Sequence, residues 1–133
     1  MEGFSWPTRG RISGVFGSQR VLNGVPRSPH YGVDIAAPIG TAVRAASSGI
    51  ISLAHEDMFF TGKTILVNHG FGVSTIYVHL SEITVRVGQR VEKGQLVGRV
   101  GMTGRATGPH LHWGLSWGQV KLDPQLVVSP MDN

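Results

Sequence analysis

Thr64-Ile65-Leu66-Val67-Asn68-His69-Gly70-Phe71-Gly72-Val73-Ser74-Thr75-Ile76-Tyr77-Val78-His79-Leu80 is the stretch whose reading decides the fold. Two runs rich in β-branched and aromatic residues flank a glycine-containing turn, the pattern of a β-hairpin with strands over 64–69 and 72–80. Downstream, residues 85–101 alternate apolar and polar positions, with glycines at 88, 94, 98 and 101. A period of two is a strand signature, and nowhere does the chain sustain a helical period. Further strands are expected over 12–16, 31–36, 41–46, 50–55, 110–117 and 120–122, with loops over 18–29 and 56–62. In the first of these loops Asn23-Gly24 signals a tight turn. The second carries Met58, Phe59 and Phe60, which either wall a cleft or fold back on the core. Only 123–127 reads as a helical turn, with Asp123 as cap and Pro124 first inside it. The expected fold is all-β: a single antiparallel sheet or sandwich.

At 133 residues the chain has the length of one domain with a real core. The expected boundaries are a lead-in segment over 1–11, the domain over 12–128 and a tail over 129–133. Phe4 and Trp6 are expected to pack on the domain edge. No apolar run approaches the roughly 18 residues of a membrane span, and Met1 to Trp6 does not start a signal peptide. The chain is therefore either cytosolic or a mature, trimmed domain. A net charge of +4 comes from scattered arginines rather than a basic run, so no nucleic-acid partner is indicated. With no cysteine, disulfides and thiolate metal sites are excluded, and any metal must rest on histidine and carboxylate.

The chemistry concentrates in two short segments, Pro29-His30-Tyr31-Gly32-Val33-Asp34 and Gly108-Pro109-His110-Leu111-His112-Trp113. On a strand, His110 and His112 point the same way, roughly 7 Å apart, while Leu111 faces the opposite layer. Upstream, His30 and Asp34 share a side whether the segment is helical or extended. Catalytic zinc takes three protein ligands and leaves a fourth position for water. His30, Asp34 and His112 supply two imidazoles and a carboxylate. His110 and His79 remain, as candidates to orient water or to stabilise an oxyanion. No His-Glu-x-x-His supplies a separate glutamate base. His55 and His69 lack a partner motif and read as structural.

Taken together, His30-x-x-x-Asp34, Tyr77-x-His79 and His110-x-His112, with the Gly-x-x-Val-x-x-Gly spacing before the last, resemble the lysostaphin/LytM-type M23 metallopeptidases. The resemblance covers about residues 12–128. It implies a barrel-sandwich-like LytM domain whose long loops border a zinc cleft, with one Zn2+ per chain held by His30, Asp34 and His112. It implies catalytic roles for His79 and His110, and peptide cross-bridges or stems of bacterial peptidoglycan as substrate. The 23–30 loop looks more like envelope enzymes of Gram-negative bacteria. The expected bond is therefore D-alanyl–meso-diaminopimelate, with Asn23 and Arg27 as substrate contacts and Arg27 paired to a stem carboxylate. A monomer in the periplasm or cell envelope is expected, its signal or anchor lying outside this sequence. One rival is a non-enzymatic M23-like module that binds cell wall or activates an amidase; such relatives typically lack zinc ligands, which this chain keeps. The other is a lipoyl- or biotinyl-carrier domain, suggested by the glycine–valine spacing. It needs a lysine at a hairpin tip, and neither Lys63 nor Lys93 has that setting.

Overall fold

The computed structural model describes residues 3–17, 20–22, 25–27, 30–104, 106 and 108–131, with the backbone alone at 20–22 and 25–27. In chain order the strands are β1 (Arg11–Gly14), β2 (Arg20–Leu22), β3 (Val25–Arg27), β4 (Val33–Ala36), β5 (Ala42–Arg44) and β6 (Gly49–Met58). They continue with β7 (Gly62–Gly70), β8 (Val73–Ile83), β9 (Arg90–Val91), β10 (Leu96–Val100), β11 (His110–Trp117) and β12 (Val120–Leu122). A 3-10 turn over Pro124–Val127 follows, and the Asp123 carboxylate caps it by accepting from the Gln125 amide at 3.0 Å. The all-β, antiparallel expectation holds, and β11 and β12 have the expected limits.

The main sheet runs β1-β4-β11-β8-β7-β6-β9, with β12 added to β11, and β10 bridging β8 and β5. Every pairing is antiparallel. The 64–80 hairpin is observed as β7–β8, with its register shifted between Lys63 and Ile65 and again between Asn68 and Gly70. Two other expectations need correction. The stretch 18–29 is no plain loop: β2 and β3 pair as a separate two-stranded sheet, Arg20 opposite Arg27. Pro26 obscures this in the sequence, since proline has no ladder donor and argues against a strand. The 56–62 loop is also shorter than expected, because β6 continues to Met58. Residues 55–58 are exposed on both faces and show no alternation to read. Phe59 and Phe60 stand at the tip, 72% and 61% exposed, so they are not folded back on the core.

Beneath the sheet lies a core that includes Val33, Ile35, Ile65, Tyr77, Leu80, Leu111 and Trp113, each 0% exposed. Leu111 and Trp113 are the odd positions of β11, which leaves His110 and His112 on its other face. Phe4 and Trp6 pack against this core from one end of the chain, Val128 and Met131 from the other. The Trp6 indole donates to the Ser129 carbonyl at 2.6 Å.

Candidate metal and catalytic site

The ladder around β11 builds the site. His112 lies directly opposite Asp34 on β4, and Asp34 lies opposite Gly14 on β1. His30 precedes β4 and reaches the same spot, only 3% exposed. His30 Nε2 is 3.1 Å from Asp34 Oδ1 and 3.1 Å from His112 Nδ1, and His112 Nδ1 is 2.9 Å from Asp34 Oδ1. Of the described residues, these three form the one group of histidine, cysteine and acidic side chains close enough to share a metal ion.

Whether a metal fits can be decided from the donors themselves. His30 Nδ1 is 2.9 Å from the Val15 carbonyl. A carbonyl can only accept, so Nδ1 carries the proton and Nε2 is left with its lone pair aimed at Asp34 and His112. An imidazole lone pair beside a carboxylate and a second imidazole nitrogen is a cluster of acceptors that a cation satisfies. Tetrahedral zinc with ligand bonds of about 2.05 Å separates its ligands by about 3.3 Å, close to the spacing found. The backbone makes room for these rings: a Cβ at Gly32 would lie 2.6 Å from His112 Cε1, and one at Gly14 would lie 2.8 Å from Asp34 Oδ2. In the metal-free protein burial would raise the Asp34 carboxyl, but the hydrogen bonds and charge that His112 and His30 offer when protonated outweigh it. The carboxyl is held far below its ordinary range, so Asp34 is anionic throughout the working pH range.

The other two imidazoles lie together beside this group. His79 and His110 have ring centroids 4.9 Å apart, and His110 Nε2 is 3.8 Å from Asp34 Oδ1. Each donates Nδ1–H to a carbonyl, His79 to Thr103 at 2.7 Å and His110 to Gly108 at 2.9 Å. In the neutral form of each ring, Nε2 is therefore left as the lone pair. Burial lowers the His79 pKa, and its hydrogen bond to Thr103 opposes this only in part. His79 thus stays neutral, able to accept a proton, at and somewhat below neutrality.

The sequence places His79 at the end of a strand; it lies inside β8 at φ +63°, a conformation uncommon outside glycine. Lys63 pairs with Leu80 but Ile65 pairs with Tyr77, so β8 carries an extra residue here. Such a bulge redirects a side chain. It coincides with the point where β8 leaves β11, last paired at Val78, and takes up β10 at Leu80.

All five expected metal and catalytic residues are thus brought together. Asn23 lies outside the described residues, and Arg27 is described only as a backbone position in β3. His69, expected to be structural, has both ring nitrogens engaged: Nδ1 donates to the Ser48 carbonyl at 2.9 Å and Nε2 meets Thr75 Oγ1 at 2.8 Å. His55 accepts the Asp57 amide at 3.1 Å beside the hairpin tip. Sequence reading misses the acceptors that orient the rings, Val15, Thr103 and Gly108. They act through main-chain carbonyls, which every residue type supplies, so no signal could mark them.

Residues 28–124 match the family described as Peptidase family M23. The chain is 42% identical over 106 residues to the Peptidoglycan DD-endopeptidase ShyA of Vibrio cholerae, covering 79% of this chain and 24% of ShyA. It spans about a quarter of the length of the curated relatives it matches. A zinc-containing peptidase from Vibrio cholerae superposes with a TM-score of 0.85 at 31% identity, over 92% of this chain and 39% of that one. The catalytic domain of lysostaphin from Staphylococcus simulans superposes with a TM-score of 0.78 at 34% identity, over 88% of this chain and 90% of that domain. With its three close-set donors and two further imidazoles on this sheet, the chain belongs to peptidase family M23.

Proposed function

We propose that this domain is a zinc-dependent endopeptidase that hydrolyses the peptide cross-links of bacterial peptidoglycan, with D-alanyl–meso-diaminopimelate as the bond cut. The observation that carries the reading is the pairing of a complete three-donor group with two imidazoles whose Nε2 lone pairs are fixed by carbonyls. The name of ShyA, a peptidoglycan DD-endopeptidase, supports the substrate class and the bond.

In this reading His30, Asp34 and His112 hold the ion. Zinc bound there would supply a Lewis acid and lower the pKa of a bound water to about 7. His110, with Nε2 3.8 Å from Asp34 Oδ1, and His79 beside it are assigned to take a proton from the attacking water. The ring that takes the proton returns it from Nε2 to the leaving amine, and the other donates to the developing oxyanion when it enters the reaction as an imidazolium with an Nε2–H of its own. A neutral His79 serves the first of these steps, and its depressed pKa keeps it ready. Asn23 and Arg27 are assigned to substrate contact, the guanidinium to a stem carboxylate. The catalytic domain spans 12–128, and the site of action is the periplasm or cell envelope. The complete donor set argues against a non-enzymatic module.

A defined panel tests the proposal: a cross-linked D-alanyl–diaminopimelate muropeptide dimer, an uncrosslinked pentapeptide stem and pentaglycine, each incubated with the zinc-loaded protein. Conversion of the dimer to monomers, with pentaglycine intact, is expected. Cleavage of pentaglycine alone would move the enzyme to another bond, and no cleavage of any member would remove the peptidoglycan assignment.

A further inference from the structure

His79 owes its position to a strained backbone, and strained conformations persist only where their surroundings hold them. One residue touches that strain from both sides. The Thr103 hydroxyl donates to the Leu80 carbonyl at 2.7 Å and accepts the Lys63 amide at 3.0 Å. Lys63 and Leu80 are the pair at which the β7–β8 register shifts, so the hydroxyl is inserted at the bulge itself. The carbonyl of the same residue receives His79 Nδ1–H at 2.7 Å. Thr103 thus fixes the backbone that turns His79 and the tautomer and direction of its ring.

The surroundings are built for this contact. Thr103 lies between β10 and β11, and it reaches β7 because two glycines with positive φ, Gly62 and Gly104, face each other. A Cβ on Gly62 would lie 2.4 Å from Thr103 Oγ1, and one on Gly104 would lie 2.5 Å from the Gly62 nitrogen. Even an alanine at either place would force the clasp apart. The His79 amide donates to Thr61 at 2.8 Å in the same turn, which closes the arrangement.

We propose that Thr103 is the positioning residue for His79, its hydroxyl locking the β8 bulge and its carbonyl selecting the Nδ1–H tautomer. Its consequence for catalysis rests on the proposed role of His79; its consequence for the His79 ring does not. The test uses the zinc-loaded protein and two variants, Thr103→Val, which replaces the hydroxyl by a methyl, and Thr103→Ser, which keeps it. Three readouts are taken: kcat and KM on the muropeptide dimer, zinc content, and the 1H–15N pattern of the His79 ring. Wild type should show His79 as a single Nδ1–H tautomer. Thr103→Val should keep its zinc and its KM, mix the two His79 tautomers and lose about 10–100-fold in kcat, the usual cost of losing an orienting partner. Thr103→Ser should restore both tautomer and rate. Mixed tautomers with full kcat would leave the positioning intact and remove the catalytic role of His79. A pure Nδ1–H tautomer in Thr103→Val would overturn the positioning, whatever the rate. If Thr103→Val does not fold, the wild-type spectrum and Thr103→Ser decide: an Nε2–H tautomer in wild type, or mixed tautomers in Thr103→Ser, would overturn it.

Discussion

His30, Asp34 and His112 are held differently from His79 and His110. Asp34 and His112 occupy directly opposed positions of a regular ladder, and a buried His30 closes the group from the start of β4. His79 and His110 sit where regularity ends, one on a bulge with positive φ and the other at the first residue of β11. Their rings are aimed by carbonyls of one connection, the segment between β10 and β11 that contributes Thr103 and Gly108. Metal ligands need fixed mutual distances, which strand register supplies. Groups that handle protons need a fixed tautomer and direction, which an acceptor on the far ring nitrogen supplies. One sheet meets both needs, with the ligands on the β4–β11 ladder and His79 on the bulge where β8 leaves β11.

The largest expected effect breaks the first half of this comparison. His30→Ala should lose most of the roughly one zinc per chain measured by elemental analysis, and with it all measurable hydrolysis. It should also lower the melting temperature, because metal binding free energy is in part folding free energy. Full zinc retention would remove His30 from the donor group.

A smaller effect is expected from the second half. His79→Ala leaves the three donors untouched and should keep its zinc, while kcat on the cross-linked dimer falls about 10²–10⁴-fold, the range for a general acid or base. Loss of zinc in this variant would show that the two groups are not separable.

Gly32→Ala probes why the first group is so close-set. The added Cβ would lie 2.6 Å from His112 Cε1 and 2.8 Å from the Trp113 carbonyl, so ring and backbone cannot both stay in place. Zinc affinity should drop about 10–100-fold, by analogy with other disturbances around metal ligands, as read by competition with a chelator. Unchanged affinity would mean that β4 and β11 yield without cost.

The smallest expected effect is a pH dependence of stability in the metal-free protein. His79 has a folded pKa below its ordinary 6.5, chiefly through burial. The unfolded chain therefore binds the proton more readily, and stability rises with pH in this range. The contribution is complete above about 6.5 and is lost as pH falls through the lower folded value. Asp34, also depressed, adds a loss of the same sign only in strong acid, below its ordinary value near 3.8. Urea midpoints between pH 5 and 8 should slope upward in wild type and less steeply in His79→Gln. Equal slopes would contradict the assignment.

The same division governs how much of the fold and of the site is legible in the sequence. The spacing of four between His30 and Asp34 and of two between His110 and His112 places side chains on one face whatever the surroundings. In the strand at 110–117, alternation is legible around buried Leu111 and Trp113. His79 is legible as a residue but not as a geometry: nothing in Tyr77-Val78-His79-Leu80 announces a positive φ, which tertiary contacts with Thr61 and Thr103 impose. Pro26 hides the β2–β3 pair, and the outer end of β6 is illegible for another reason. Alternation arises from a buried face, and residues 55–58 have none.

The most direct test compares two histidines two residues apart on β11, His110→Ala and His112→Ala. Zinc per chain and hydrolysis of the cross-linked muropeptide are measured on the same preparations. His112→Ala is expected to lose both metal and activity, whereas His110→Ala keeps its zinc and loses activity alone. Equal zinc loss in the two variants, or a His110→Ala protein that cleaves at the wild-type rate with its zinc in place, would contradict the division between ligands and proton-handling groups.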